Sequence, residues 1–420
     1  MKITLLSFLL FAGSALAVDS TNLAATAINA LGLDLLPKVG RSNDNVLLSP
    51  YSIQSALAMT YAGADGATRT EMMRVLHFPK DDAGLNHSFA ALRQALAGLA
   101  ARSAKRAEDA KRHGMTNDPI TLVTANRLFG QAGVAFRAPF LEVLKDSYNA
   151  PLAPLDFRKS ARDATKQINQ WVATQTQERI RDLIPDGALN AMTRLVLVNA
   201  VYLKAPWLHE FNAGNTKPQP FFVRGGKAEK VPTMESKADY GYAKRDGFTA
   251  LVLPYNDPDL QLLILLPDAT NGLAALEKKL TPALLADCAR PQNTEVILQL
   301  PKFKLEPPTI PLTRELQALG MKSAFDQPPG SANFDRMAER EQGRGLAIAD
   351  VFHKTFLSLD EKGTEAAAAT AVAMAVTSMP PPKPTPIEVK VDRPFLFAIQ
   401  HRPSGACLFL GRLTDPRAAR

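Results

Sequence analysis

The order of the hydrophobic patterns along the chain limits its fold more than any other feature of the sequence. Amphipathic helical spacing, with apolar residues three and four positions apart, marks residues 21–36, 52–64, 89–113 and 162–184. Strand-like apolar runs intervene and then dominate, at 120–130, 194–205, 249–255, 260–268, 295–305, 352–360, 387–401 and 406–413. Helices first and strands later, without regular alternation, predict an α+β fold with large sheets.

The length and composition are those of a folded protein. With 420 residues, of which 46% are hydrophobic, the chain can bury one large core or two modest ones. No internal repeat is present, and no linker precedes residue 363, so we expect one domain over residues 18–420. A formal net charge of +8 is mild for this size and does not imply a nucleic-acid partner.

The first residues are typical of a secretory leader. Lys2 precedes an apolar run from Ile3 to Phe11, and Ala15-Leu16-Ala17 provides small residues around a cleavage site. We therefore expect a signal peptide over residues 1–17, cleavage after Ala17, and a secreted or periplasmic protein. The alternative, a membrane anchor, is disfavoured because the apolar run is shorter than the roughly 20 residues that span a bilayer. No other stretch is apolar for long enough, so no membrane association is expected.

Cys288 and Cys407 are the only cysteines, too few for a disulfide scaffold in an exported chain. Cys407 lies in the apolar run "ACLFLG", where a free thiol behaves as a small hydrophobe. We therefore predict two unpaired thiols, with a single bridge between them as the alternative.

The motifs of the common enzyme classes are missing from the sequence. There is no G-x-S-x-G, no G-x-x-x-x-G-K-[ST], no C-x-x-C, and no histidine pair at metal-ligand spacing. We therefore expect neither an enzyme nor a metal or other cofactor. A dispersed catalytic triad, which spacing does not reveal, is the alternative that stays open. His353 stands alone in a strand-like run and is interpreted as a hydrogen-bonded structural residue.

The segment 361–386 combines an alanine-rich run with a proline cluster. Alanine favours helix, but alternate positions differ in character. The β-branched and apolar residues occupy one set: Thr364, Ala366, Ala368, Thr370, Val372, Met374 and Val376. This period of two is typical of a strand, Gly363 before it allows a hinge, and the prolines beyond it favour an extended arm. The segment is interpreted as a strand-competent loop, with a flexible Ala/Pro linker as the alternative.

Several motifs, in order along the chain, resemble the serpin family. "EKGTEAAAATA" at 361–371 resembles the hinge of inhibitory serpins, and "NVLLSPYSIQSALAM" at 45–59 is similar to the family's Ser-Pro-x-Ser-Ile segment. "NAVYLKAPW" at 199–207 follows, and then "VPTM", "LPY", "LPKF", "DRPFLFAI" and "FLGRLTDP". The chain departs from the family pattern at Leu203, at Ala205, and in a longer, proline-rich stretch from Ser378 to Glu388.

The resemblance implies a serpin fold of three β-sheets and about nine helices, with an exposed reactive-centre loop at 361–386. It also implies a suicide-substrate inhibitor of serine proteases, in which the cleaved loop inserts into the main sheet and traps the acyl-enzyme. The alternative is a non-inhibitory serpin acting as a carrier or chaperone. An unrelated secreted binding protein would require every other motif match to be accidental.

The family hinge, transferred residue by residue, comprises Glu361, Lys362, Gly363, Thr364, Glu365, Ala366, Ala367, Ala368 and Ala369. At the usual family spacing the reactive bond joins Thr377 and Ser378, with Val376–Thr377 as the alternative. Small apolar side chains there suit elastase-like or subtilisin-like serine proteases, and papain-like cysteine proteases as a further class. No arginine lies in the loop, so trypsin-like targets are not expected.

Two further groups of residues match control regions of the family. The shutter, beneath the point where the sheet opens, is expected at Ser49, Ser52, Asn199 and His353. The breach, where the loop enters the sheet, is expected at Trp207, Lys302 and Glu361, with Lys302 and Glu361 paired. The resemblance also implies a monomer.

A basic stretch at 102–113 extends what resembles a helix that binds glycosaminoglycans in some relatives. Its cations are Arg102, Lys105, Arg106, Lys111 and Arg112. The alternative to a polyanion site is a solvated helix in which Glu108 and Arg112 pair at i,i+4, and we favour that alternative.

Overall fold

The computed structural model describes residues 22–40, 43–115, 117–340, 345–365 and 385–417. Within these ranges it contains nine α-helices: α1 (Asn22–Leu35), α2 (Pro50–Ala62), α3 (Gly66–Val75), α4 (Asp82–Arg112), α5 (Ala138–Asp146), α6 (Phe157–Gln175), α7 (Leu273–Lys279), α8 (Pro282–Cys288) and α9 (Thr313–Ala318). Six of the nine precede residue 180, and strands dominate thereafter. This confirms the α+β class.

The same ranges contain seventeen strands: β1 (Val46–Leu48), β2 (Thr121–Gln131), β3 (Ala153–Leu155), β4 (Leu195–Pro206), β5 (Lys217–Phe222), β6 (Ala228–Arg245), β7 (Phe248–Pro254), β8 (Leu260–Pro267), β9 (Gln292–Pro301), β10 (Phe303–Leu305), β11 (Ile310–Pro311), β12 (Val351–Thr355), β13 (Leu357–Asp360), β14 (Gly363–Thr364), β15 (Ile387–Lys390), β16 (Phe395–His401) and β17 (Ala406–Leu413).

The main sheet has eight strands, with the order β10-β13-β14-β4-β12-β11 and with β2 and β3 added beyond β4. Strand β4 is its centre and is buried at every position except Lys204. Alternate β4 residues face opposite cores: Leu195, Leu197 and Val201 join the large core, whereas Val196 and Val198 pack toward α6. The sheet is therefore covered on both faces along β4.

The second ladder has nine strands, β1-β17-β16-β8-β7-β6-β9-β15, with β5 on β6. Strand β6 pairs with β5 and β9 over residues 228–242 and with β7 over 241–245, so it joins two sub-sheets. If the ladder is divided where β6 changes partners, it gives two sheets. Together with the main sheet, these make the three sheets that were expected.

Helix α2 is buried on all sides between the two sheets. Twelve of its thirteen residues are buried, and Ser49 caps its first turn by accepting a hydrogen bond from the Ser52 amide. Gly32 of α1 permits the close contact with α2, because a Cβ there would lie 2.6 Å from Pro50 Cγ. Helix α6 covers the opposite face of the main sheet through Ile168 and Val172, each fully buried and contributing about 1.5–3 kcal/mol.

The helix predicted over 162–184 ends at Gln175. The Thr176 hydroxyl donates to the Val172 carbonyl oxygen at 2.8 Å and accepts from the Ile180 amide at 3.1 Å. Gln177 and Glu178 then adopt left-handed backbone angles, with φ of 51° and 62°. The chain after α6 therefore forms an irregular segment that carries Arg179.

Both cysteines are free and buried, as predicted. The leader over residues 1–17 lies outside the described residues. Among the helices in the part of the chain that the structure describes, none is long and apolar enough to cross a membrane.

Candidate functional site: the hinge and the opening of the main sheet

The main sheet holds the first residues of the predicted loop as a strand. Gly363 and Thr364 form β14, which is antiparallel both to β13, with Thr364 opposite Leu359, and to β4, with Thr364 opposite Ala205. The Glu365 amide continues this pairing by donating to the Ser358 carbonyl oxygen at 2.8 Å. We call residues 363–365 in this position the docked hinge.

Gly363 is required for this close approach to β4. Its φ is 149°, and a Cβ would lie 2.1 Å from the carbonyl oxygen of Ala205. Any side chain here would push β14 away from β4. The glycine predicted as a hinge thus also permits a tight contact.

Thr364 faces the large core and is fully buried. Its hydroxyl shares a 2.7 Å hydrogen bond with the Tyr255 hydroxyl. Burial raises the pKa of Tyr255, so the phenol stays protonated. The hydrogen bond satisfies a buried hydroxyl that would otherwise cost free energy.

Glu365 faces the other side of the sheet, toward α6, as strand alternation from Thr364 requires. Its carboxylate forms an ion pair with the Arg179 guanidinium, and its side chain is only 11% exposed. Burial raises the pKa of Glu365, and the positive charge of Arg179 opposes that rise. The backbone leaves strand geometry here, with φ of 48°.

The predicted breach residues meet at the turn that precedes the hinge. Lys302 Nζ lies 2.7 Å from Glu361 Oε2, and the Thr216 hydroxyl donates to Glu361 Oε1 at 2.8 Å. Burial acts to raise the pKa of Glu361, but these hydrogen bonds hold it below its ordinary value. Trp207 Nε1 donates to the Asp360 carbonyl oxygen at 3.0 Å. The turn is therefore tied to the residue after β4, to the residue between β9 and β10, and to the residue before β5.

The predicted shutter residues Ser49, Asn199 and His353 form one buried hydrogen-bonded group. The Ser49 amide donates to His353 Nε2 at 3.1 Å, so this nitrogen is the acceptor and Nδ1 carries the proton. Nδ1 then donates to Asn199 Oδ1 at 2.5 Å. Burial lowers the pKa of His353 to about 3, which keeps the ring neutral.

Ser52 touches this group through Ser49 and not through His353. Its hydroxyl donates to Asn126 Oδ1 at 2.7 Å, and Asn126 lies opposite Asn199 in the β2–β4 ladder. The four predicted residues therefore connect α2 to β2, β4 and β12. Asn126 is a member that the sequence reasoning missed.

The main sheet is closed at the shutter and open at the hinge. Next to His353, strands β12 and β4 pair directly, with parallel register from Val351–Leu197 to Thr355–Val201. At the other end of β4, residues 363–364 lie between β13 and β4. The sheet thus changes from direct pairing to an added strand along the length of β4.

Part of the predicted site lies outside the described residues, namely Ala366, Ala367, Ala368 and Ala369 of the hinge and Val376, Thr377 and Ser378 of the reactive bond. Within the ranges given above, no group of three or more His, Cys, Asp or Glu residues is arranged to hold a metal ion.

A family model described as serpin (serine protease inhibitor) matches residues 26–416, nearly the whole chain. The chain belongs to the serpin family. This serpin is thereby assigned to a family of protease inhibitors and not of enzymes, which confirms the prediction that it is not a catalyst.

Relatives of this serpin match over most of their length. The leukocyte elastase inhibitor of Bos taurus is 37% identical over 381 residues, which cover 89% of this chain and 93% of the relative. An uncharacterized serpin-like protein of Thermococcus kodakarensis is 36% identical over 392 residues, covering 93% and 85%. The crystal structure of native protease nexin-1 with heparin has a TM-score of 0.78 at 26% identity, covering 95% of this chain and all of that one.

The five basic residues near the end of α4 do not form one free surface in this serpin. Arg106 Nη2 lies 2.5 Å from Asp257, whose side chain is fully buried, and Arg102 Nη2 lies 2.5 Å from Asp259. Arg112 pairs with Glu108 at 2.6 Å, the i,i+4 contact of the solvated-helix interpretation. Lys105 and Lys111 make no ion pair within the part of the chain described.

Proposed function

We propose that this serpin inhibits elastase-like or subtilisin-like serine proteases as a suicide substrate. The observation that carries the proposal is the docked hinge, in which β4 and β13 accept Gly363 and Thr364 as a strand. Further loop residues would extend an existing ladder, and propagation is easier than starting a new strand. Strand addition of this kind is a recognised mode of loop insertion.

In the proposed reaction the protease serine attacks the Thr377 carbonyl carbon, and the bond to the Ser378 nitrogen breaks. The acyl-enzyme ester joins the protease to Thr377, while the new amine of Ser378 leaves with the C-terminal part. Insertion of roughly 14 residues at about 3.4 Å each moves the ester on the order of 45–50 Å, which would deform the protease before water cleaves the ester. The small side chains of alternate loop residues favour rapid insertion.

The target class follows from the residues around the proposed bond. Val376 and Thr377 fit small apolar specificity pockets, and the relative named leukocyte elastase inhibitor supports an elastase-like target. Papain-like cysteine proteases are a further class, because they form an equivalent thioester. If Val376–Thr377 is cleaved instead, the ester forms on Val376.

The test is to mix the protein with an elastase, a subtilisin and trypsin, and to look for SDS-stable complexes by electrophoresis. We expect complexes with the first two, and a released C-terminal peptide whose mass begins at Ser378. Cleavage within 376–378 without any complex would instead favour a non-inhibitory carrier or chaperone. Complex formation with trypsin alone would contradict the proposed target class.

The hinge composition supports inhibition over the carrier alternative. From Thr364 to Ala371 the sequence has no proline and no bulky side chain, and Glu365 is its only charge. Charged or branched residues at inward-facing positions would slow insertion and let the ester hydrolyse.

A polyanion site at α4 is a second, separate proposal. The heparin-bound structure of protease nexin-1 supports it, and Lys105 and Lys111 are its unpaired cations among the residues described. Elution from a heparin column only above physiological salt, lost in K105A/K111A, would support this proposal over the solvated helix that the ion pairs of α4 favour. Elution below that salt would leave α4 as a solvated helix.

We also propose that the protein is exported as a monomer after cleavage behind Ala17. The leader pattern at residues 1–17 supports export. The intact mass of exported protein should begin at Val18, and sedimentation should give a single species near the mass of one chain. Retention of the leader in the exported protein would contradict this proposal.

A further inference from the structure

Arg179 is held close to the docked hinge by the segment that follows α6. Ile180 is fully buried, and the left-handed turn at Gln177 and Glu178 precedes Arg179. The guanidinium carbon of Arg179 lies 5.8 Å from the centre of the Phe356 ring. The arginine is therefore positioned by its own segment and by the residue between β12 and β13.

Glu365 is the residue that Arg179 reaches, and its charged and titratable neighbours come from three elements. Arg179 forms the ion pair from the segment after α6, Tyr202 and Lys204 face Glu365 from β4, and Lys304 faces it from β10. Burial of the Tyr202 side chain raises its pKa, and the negative charge of the nearby Glu365 raises it further, so the phenol stays protonated beside the carboxylate. Arg179 is thus the cation in direct contact with this carboxylate.

We propose that Arg179 is a positioning residue that holds residues 363–365 docked in the main sheet through its ion pair with Glu365. The pair compensates the carboxylate that docking removes from water, and it holds Glu365 in the left-handed conformation that ends β14. Without Arg179 the carboxylate would be buried beside weaker partners. The hinge released into water would then have a lower free energy than the docked hinge.

The effect of Arg179 on docking of the hinge depends on the charge of Glu365. Docking raises the pKa of Glu365, so the docked hinge binds a proton more tightly than the free hinge does. Docking is accordingly most favourable at low pH and weakens as the pH rises through the interval between the ordinary and the raised pKa. At neutral pH the positive charge of Arg179 compensates the cost of burying the ionised Glu365. Once Glu365 is protonated, there is no buried charge for Arg179 to compensate.

The consequence for inhibition rests on the proposed function. Insertion requires Glu365 to leave its left-handed conformation and become an extended strand residue, which changes its contact with Arg179. Arg179 would therefore set the starting position of the loop from which insertion proceeds.

The test is hydrogen exchange of the unreacted protein, followed by mass spectrometry of peptides covering residues 357–365. The variants are R179A, R179K, E365Q and the double variant R179A/E365Q, all at one neutral pH. R181A is the matched control, because Arg181 lies two residues away and pairs with exposed Glu178. A second series compares wild type and R179A as the pH falls, with rates corrected for intrinsic exchange.

We expect R179A to speed exchange of the hinge amides on the order of tenfold, since it removes a charge-assisted hydrogen bond. R179K should restore most of the protection, and R181A should match the wild type. In the E365Q background, where no charge is buried, R179A should change exchange by less than about threefold. The gap between R179A and wild type should also narrow at low pH.

An equal effect of R179A with and without E365Q would overturn the proposal, because Arg179 would then act only by packing on Phe356. Unchanged exchange in R179A would overturn it as well. Both measurements are made on the protein alone, without a protease. If no protease forms a stable complex with the wild type, the proposed function fails while the exchange data still decide the role of Arg179.

Discussion

At the scale of single residues, His353 shows how burial fixes both the charge and the tautomer of a side chain. Its acceptor nitrogen faces the Ser49 amide, and its protonated nitrogen faces Asn199. A second proton would place a donor against the amide of Ser49 and bury a charge. The neutral ring therefore links α2 to β4 at the position where β12 and β4 still pair directly.

This arrangement makes stability depend on pH. The unfolded histidine titrates near 6.5, whereas burial lowers the folded pKa to about 3, so the unfolded state binds the extra proton first. The contribution of neutral His353 to the free energy of unfolding is fully present above pH 6.5. It is lost as the pH falls toward 3, with a slope of up to about 1.4 kcal/mol per pH unit. Urea unfolding of wild type and H353Q between pH 7 and pH 4.5 measures it. H353Q should be less stable at pH 7 but show the smaller slope, and parallel slopes would contradict the assignment.

The sequence predicted which residues belong to the shutter but not all of their partners. Ser49, Asn199 and His353 stand in recognisable motifs, and the structure brings them together. Asn126 and Arg179 stand in no such motif, and the motif "LPY" that ends at Tyr255 does not reveal its contact with Thr364. In each case the partner is more than 70 positions away. Contacts of this kind depend on how whole elements pack, which local patterns do not encode.

At the scale of elements, periodicity predicted where strands lie better than where they end. The apolar run 352–360 is divided at Phe356, because β12 pairs with β4 while β13 pairs with β10 and β14. Strand β6, the longest of the structure's described strands at eighteen residues, was not predicted at all, because many of its positions are charged or polar and partly exposed. Tertiary pairing decides such cases, and it overrides apolar runs.

The two-residue strand β14 leads to a prediction about the hinge. Thr364 is fully buried against Tyr255, and T364R would place a charge there. We expect T364R to remain a protease substrate but to form no SDS-stable complex, because insertion becomes slower than ester hydrolysis. Electrophoresis after mixing with an elastase gives the readout. T70R adds the same charge at the exposed position Thr70 of α3 and should inhibit like the wild type. Full inhibition by T364R would exclude loop insertion as the mechanism.

The attachment of α4 gives a second prediction at this scale. Asp257 is fully buried and receives Arg106 and, at 3.5 Å, Arg102. D257A should lower the free energy of unfolding by about 1–3 kcal/mol, as loss of charge-assisted hydrogen bonds does. E108A removes only an exposed i,i+4 pair and should cost less than about 0.5 kcal/mol. Chemical denaturation of both variants distinguishes a structural anchor from a surface contact. Equal losses of unfolding free energy in D257A and E108A would contradict the anchoring role of Asp257.

At the scale of the whole molecule, the structure combines a closed end and an open end within one sheet. Around His353 the strands β12 and β4 are paired and covered by α2, whereas the hinge end already contains β14. Each further inserted residue would have to separate β12 from β4 and disturb the shutter hydrogen bonds. The docked hinge is therefore the point from which loop insertion would start, and the shutter group would resist its progress.

If the loop inserts after cleavage, the cleaved protein must be more stable than the intact one. Insertion replaces the direct β12–β4 pairing by pairing on both sides of the new strand. The net gain of about a dozen ladder hydrogen bonds, each contributing roughly 0.5–1.5 kcal/mol, outweighs the shutter bonds that are lost. We expect the thermal midpoint to rise by roughly 10 °C or more after cleavage between 376 and 378. Differential scanning calorimetry of intact and cleaved protein gives the comparison, with cleaved T364R as the control that should show a much smaller rise. An unchanged midpoint in the cleaved wild type would mean that the loop stays outside the sheet, and the closed shutter would then be a permanent part of the core.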